Sequence, residues 1–391
     1  SHITIFDIHS EFHTAFPQAN FIDISNLVLP YWLLNSDELQ ELFIDTEAND
    51  HKQRNVLKEA IVNNRKEHFE GDSTLKEKIH FDSPLFFDID EILLYIKNRN
   101  NEKKDKNNDI LYKMSDGEQY IFNVQNAKNL FYEKVTYTGT SASGTNNGNL
   151  INFIDRLENK INDKRLDFLF GEKSRTISFE ETLSELLGYN ESTILDLSGV
   201  PFDVLSITVS LISRILFEFG YYYKRMKEEQ ETDGNKDNDI PVLLVYEEAH
   251  KYVPNNDSAK YRASRESIER IAKEGRKYGI SLMLASQRPS EISETIFSQC
   301  NNFLSLRLTN PTDQNYVKKL LPDTLESIVD KMPALKVGEG LLIGDSVILP
   351  SIVQIDRCDP EPSSQDVPFF KLWKEKWHSL NIEAVKNSWE R

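Results

Sequence analysis

Two kinds of hydrophobic pattern alternate along the chain: short β-branched and aromatic runs, and longer stretches in which apolar residues recur every three or four positions. The opening run Ile3-Thr4-Ile5-Phe6 predicts a strand, closed by the polar cluster Asp7, His9, Ser10 and Glu11. From about Ser36 to Lys97, and again from about Ala127 to Phe170, the spacing turns helical. Leu39, Leu42 and Phe43, then Val56, Ile61 and Val62, then Ile92, Leu93, Tyr95 and Ile96, and finally Leu150, Phe153, Ile154, Leu157 and Ile161 each mark one helix face. Between these halves, Asn98 to Asp109 holds no apolar residue and reads as a solvated loop without an active role.

A different regime begins near Ser192. Ile194 to Leu197 predicts a buried strand, and Ser198-Gly199-Val200-Pro201 turns the chain into a long apolar helix ending near Arg225. After a polar run from Lys227 to Asp239, Val242 to Tyr246 is almost continuously apolar, as in a strand covered on both faces of a parallel sheet. A polar helix from about Ala263 to Lys277 follows, then a strand from Ile280 to Ala285, a helix near Glu291 to Gln299, a strand from Asn302 to Leu308 and a hairpin from Gly340 to Ile355. The alternation predicts an α/β domain with a largely parallel sheet. Because the first strand precedes it, the helical block is an insertion. The expected division is 1–30 and 191–360 for the sheet domain, 31–190 for the inserted helical subdomain, and 361–391 for a helical tail with Trp373, Trp377 and Trp389 at or near helical spacing.

Composition narrows the function classes. The 391 residues carry 63 acidic against 46 basic side chains, a net charge of −17, so nucleic-acid contact requires a local basic surface and non-specific coating of DNA is not expected. Val204 to Phe219 is interrupted by Ser206, Thr208, Ser210, Ser213 and Arg214, so no membrane association is expected from it. Cys300 and Cys358 are too few for a disulfide framework, and a reducing cytoplasm is the expected setting.

Chemistry concentrates after the strand Val242 to Tyr246. Glu247 and Glu248 fall at the carboxyl edge of a parallel sheet, where open α/β folds bind ligands. One such carboxylate can hold a hydrated Mg²⁺ and the next can polarise a water for attack on a phosphate; a solvated loop start is the alternative. Gln287, after the next strand, can position water. Arg276 and Lys277 lie near a helix end before Gly279, where basic residues also serve as ordinary C-terminal caps. His250 has no second His or Cys at ligand spacing, so zinc is not expected. Lys251, Lys260, Arg262 and Arg265 could face DNA in a pore or be plain helix surface, and Tyr221-Tyr222-Tyr223 could stack on bases or pack internally.

The segments Glu247-Glu248-Ala249-His250, Glu274-Gly275-Arg276-Lys277-Tyr278-Gly279-Ile280 and Ala285-Ser286-Gln287-Arg288-Pro289-Ser290 together resemble the HerA branch of the HerA/FtsK ATPases. Phe6-Asp7-Ile8-His9-Ser10-Glu11-Phe12 is similar to the family's D-P-H-G-E-Y-like segment. Leu157-Glu158 with Asp163 to Phe170 resembles the end of its inserted bundle, and Ile194 to Gly199 its next strand and turn. The order agrees from about residue 3 to 360. The resemblance implies a RecA-like core, with ATP and Mg²⁺ as cofactors, in a homo-hexamer that moves along double-stranded DNA. It implies Glu247 on the Mg²⁺ side of a Walker B pair, Glu248 in the catalytic position, Gln287 as sensor, and Arg276, with Lys277 beside it, as the finger reaching a neighbour's nucleotide. Asp7, His9 and Glu11 match a segment near the nucleotide, with a strand-end turn as the alternative. Family members work with effectors: a NurA-like nuclease or, in bacterial anti-phage complexes, a sirtuin-like NAD hydrolase or another nuclease, the ATPase then serving as scaffold or regulator.

One departure matters. The phosphate-cradling pattern G-x-x-x-x-G-K-[ST] does not occur in these residues; Gly139 to Asn146 imitates its glycines but has no Lys. In the family it would lie upstream of Ile3, after a small β-barrel, so the chain is expected to start inside the ATPase core and to be inactive alone.

Overall fold

The computed structural model describes residues 2–44, 51–140, 146–188, 192–230, 240–256, 261–319, 329–363, 367–375 and 381–389. Its strands are β1 (His2–Asp7), β2 (Asn20–Ile22), β3 (Leu111–Lys113), β4 (Gln119–Ile121), β5 (Thr136–Tyr137), β6 (Ser192–Asp196), β7 (Val242–Tyr246), β8 (Ile280–Leu284), β9 (Asn302–Ser305), β10 (Glu339–Gly344) and β11 (Ser351–Gln354). The helices used below are α1 (Ser36–Phe43), α2 (Ile89–Asn100), α3 (Ile151–Ile161), α4 (Phe202–Gln230) and α5 (Arg262–Glu274).

The main sheet has the order β2-β6-β1-β7-β8. Every pair in it is parallel, with Asp7 opposite Asp196 and Tyr246 opposite Leu284. The protein is therefore α/β with a RecA-like parallel core and an inserted helical bundle. Parallel strands covered on both faces must be apolar throughout, and Ile5, Phe6, Ile194, Leu195 and Leu244 are buried accordingly. Charged residues come where the strands run out, so Asp7, Asp196 and Glu247 gather with Ser286 at one edge.

Between β2 and β6 the chain leaves the sheet. The apolar stripes close with it into one continuous core that includes Phe6, Leu195 and Tyr246 as well as Phe43, Ile61, Tyr95 and Phe153. Asn35 starts α1 by accepting from the Glu38 amide, and the Glu38 carboxylate returns a bond to the Asn35 amide at 2.9 Å. The same buried carboxylate pairs with Arg214 of α4 at 2.8 Å and accepts from Ser210 at 2.8 Å, tying the insertion to the long helix. Such a pair is costly to break singly because the partner charge would be left buried.

Glu41, on the same helix, accepts from the Ala263 amide at the start of α5 at 3.0 Å. Burial pushes its carboxyl up to about 7, with Glu38 and Asp37 adding to the rise against the Ala263 and Ser206 bonds. The folded chain thus holds this proton more tightly than the unfolded chain, so Glu41's contribution to stability declines as pH rises from about 4.5 to about 7. Glu41→Gln is expected to raise stability at pH 8 by on the order of 1–2 kcal/mol and to do little at pH 4, as read by denaturant melts at both pH values.

Three expectations change. The polar run after residue 97 is not a solvated loop throughout: α2 continues to Asn100, and Asn98, Arg99 and Glu102 are buried. Arg99 pairs there with both Glu59 and Glu102, and mutual neutralisation is what lets charge go inside. The insertion also holds an antiparallel sheet β4-β3-β5, which helical spacing did not anticipate. Residues 302–305 join a third sheet, β11-β10-β9, antiparallel throughout, instead of extending the parallel one. Among the described residues no helix is long and apolar enough to cross a membrane.

Candidate functional site

At the carboxyl edge, β7 ends and the chain turns sharply through Glu247 and Glu248. Glu248 has a left-handed backbone, φ +46°, and only 8% of its surface is exposed. A non-glycine residue held there costs on the order of 1 kcal/mol, a strain typical of positions fixed for function. Its Oε1 accepts from Gln287 Nε2 at 2.7 Å, so the tip of β8 and the tip of β7 are joined through these two side chains. Its Oε2 lies 3.2 Å from His250 Nδ1 but without hydrogen-bond geometry, leaving a buried carboxylate oxygen with no hydrogen-bond partner. His250 Nδ1 is 3.0 Å from Ser286 Oγ, which in turn accepts from the Arg288 amide.

Glu247 faces the end of β1. Its Oε2 accepts from the Ile8 amide at 3.0 Å, and the Tyr252 hydroxyl donates to its carbonyl. Burial, and then the Asp7 and Glu11 carboxylates close by, push its carboxyl up to about 7. Asp7 is fully buried and accepts from the amides of His9, Glu11 and Phe12 at 2.9–3.1 Å. That is the strand-end turn that the sequence left open as an alternative, and it also brings negative charge against Glu247. His9 is exposed and lies 3.3 Å from Lys251 Nζ; Glu11 is half-buried. Ser10, also left-handed at φ +59°, donates to Asp196 Oδ2 at 2.6 Å.

Arg276 and Lys277 are elsewhere. Both precede β8, and the five residues of that strand, at about 3.3 Å each, put roughly 16 Å between them and Glu248. Both side chains are exposed, and among the described residues neither has a hydrogen bond or ion pair. They are not part of the edge cluster formed by their own chain.

A family model described as "Helicase HerA, central domain" matches residues 1–216, more than half of the chain. The chain belongs to this HerA family. Among curated proteins, the probable helicase MJ1565 of Methanocaldococcus jannaschii is 25% identical over 389 residues, covering 98% of this chain and 62% of that protein. The DNA double-strand break repair helicase HerA of Sulfurisphaera tokodaii is 28% identical over 251 residues, covering 62% and 50%. The chain thus spans about half to three fifths of the length of these relatives. Among solved structures, VirB4 of Thermoanaerobacter pseudethanolicus overlays with a TM-score of 0.51 at 13% identity, over 92% of this chain and 82% of that one, a likeness of fold.

Within this HerA-family chain the edge brings together Asp7, His9, Glu11, Glu247, Glu248 and Gln287. Ser10, Asp196, Ser286 and His250 lie within the segments that carry the resemblance, but the sequence alone assigns none of them a role at the site. Asp196 closes a strand parallel to β1 in register with Asp7, and that pairing was the signal available. Arg262 and Arg265 are engaged in ion pairs with Glu266 and Glu269 one turn on, both at 2.9 Å. Lys260 and Trp377 lie outside the described residues, as do residues 141–145 of the glycine-bearing loop. That loop follows the short strand β5, and Gly139 lies so close to Lys104 that a Cβ would sit 2.5 Å from its carbonyl oxygen.

Among the described residues no group of three His, Cys, Asp or Glu side chains is arranged to hold a metal unaided. Mg²⁺ rarely asks for that. It keeps several waters and takes one or two carboxylates together with substrate phosphates, and Glu247, an oxygen donor close to the Asp7 and Glu11 carboxylates, suits it.

Proposed function

We propose that this chain supplies the Walker B, sensor and finger portion of a hexameric, Mg²⁺-dependent ATPase that moves along double-stranded DNA with a partner effector such as a NurA-like nuclease. The observation that carries the reading is the bond from Gln287 to Glu248: it fixes a buried carboxylate whose other oxygen, 3.2 Å from His250 Nδ1, makes no hydrogen bond among the described residues, at the ligand-binding edge of the sheet. That Oε2 accepts the proton of a water aligned for in-line attack on the terminal phosphorus of ATP. Gln287 holds the carboxylate's other oxygen so that Oε2 keeps its direction. Glu247 would hold Mg²⁺, which would supply neutralisation of charge on the phosphate oxygens. Arg276 and Lys277, exposed and about 16 Å from their own edge, suit service to the site of a neighbouring copy.

The expected result is ATP hydrolysis by the full-length protein that rises with double-stranded DNA and whose stimulation falls steeply between 50 and 200 mM salt, because phosphate contacts release counterions. Hydrolysis indifferent to DNA at every salt concentration contradicts the translocase. The net charge of −17, which repels DNA overall, favours a second reading in which the ring is mainly the scaffold of an anti-phage complex with a sirtuin-like NAD hydrolase or nuclease. That reading predicts a DNA-independent complex with the effector.

A further inference from the structure

The loop that carries Arg276 and Lys277 has a built mount. Tyr278 inserts its ring against the second half of α4, 5.5 Å from the Phe217 ring and 5.0 Å from the Tyr221 ring. Gly220 of the same helix lies under the loop so closely that a Cβ would come within 2.7 Å of the Tyr278 carbonyl oxygen. Lys224, one turn further, donates from Nζ to the Lys277 carbonyl at 3.0 Å and lies 5.9 Å from the centre of the Tyr278 ring. On the far side Gly279 turns in the left-handed region at φ +74°, and its carbonyl accepts from the Val242 amide at the start of β7. The backbone is held from both flanks, while among the described residues the two cations at the tip have no hydrogen bond or ion pair.

We infer that Lys224 is a positioning residue for Arg276: its ammonium fixes the Lys277 carbonyl, so that α4 presents the finger in one geometry to a neighbouring copy. This rests on the proposed finger role. The physical reason is preorganisation: a cation already oriented spends no free energy on ordering at the transition state, and a misplacement of about 1 Å can cost up to ~10²-fold. The same helix carries Arg214, locked to Glu38 of the insertion, so finger and insertion share one rigid rod.

In the full-length protein, Lys224→Met is expected to lower kcat at least about tenfold with KM for ATP within about twofold, and Lys224→Arg, which restores the donor, to recover most of it. Added to Arg276→Ala, Lys224→Met is expected to cost nothing more, since there is no finger left to aim. In the 391-residue chain, trypsin is expected to cut after Arg276 and Lys277 about fivefold faster in Lys224→Met than in wild type, as loss of one hydrogen bond loosens the loop. An unchanged kcat, or an equal loss with and without Arg276, overturns the inference. If Arg276→Ala itself turns over at the wild-type rate, the finger role falls instead, and equal trypsin rates would then show that Lys224 does not hold the loop either.

Discussion

Glu248→Gln in the full-length protein is expected to cut ATP turnover by about 10²–10⁴-fold while leaving assembly and melting temperature close to wild type. The magnitude is that of a lost general base. The selectivity follows from geometry: Gln keeps the volume of a buried side chain and can keep an amide oxygen toward Gln287 Nε2, so the bridge between the tips of β7 and β8 survives. What disappears is the basic oxygen beside His250, which makes no hydrogen bond among the described residues. Single-turnover hydrolysis and thermal melts on one preparation check both halves. Unchanged hydrolysis would remove Glu248 from the role given to it.

Arg276→Ala is expected to cut turnover further still, by about 10³–10⁵-fold, but only where copies are assembled. An exposed side chain with no hydrogen bond or ion pair among the described residues contributes little to folding, so the variant should melt as wild type does. Mass photometry of the same samples establishes that the assembly persists. A loss of activity that came with loss of assembly would make Arg276 an interface residue instead of a finger.

The parallel sheet was legible because burial on both faces forces an apolar run, and Val242 to Tyr246 could hardly be anything else. The edge cluster was legible for the same reason inverted: carboxylates that follow such a run without an intervening turn must emerge where the strand stops. The antiparallel sheet of β3, β4 and β5 was not, since Leu111–Lys113 and Thr136–Tyr137 are too short to establish a period of two. Burial of Arg99 and Glu102 was hidden because local polarity says exposed, and only partners distant in sequence, such as Glu59, reverse it. Ser286 and His250 were hidden in another way. Their relation to Glu248 is made by the pairing of β7 with β8, which residue spacing does not encode.

The central claim is that one copy's Glu248 works with the next copy's Arg276. Mixing Glu248→Gln and Arg276→Ala full-length subunits in equal amounts tests it directly, since each is inactive alone. A mixed ring places an intact Glu248 beside an intact Arg276 wherever an Arg276→Ala copy borders a Glu248→Gln copy in the right order, and hydrolysis should return to roughly a quarter of the wild-type rate. Mixed rings that assemble and stay inactive would contradict the account.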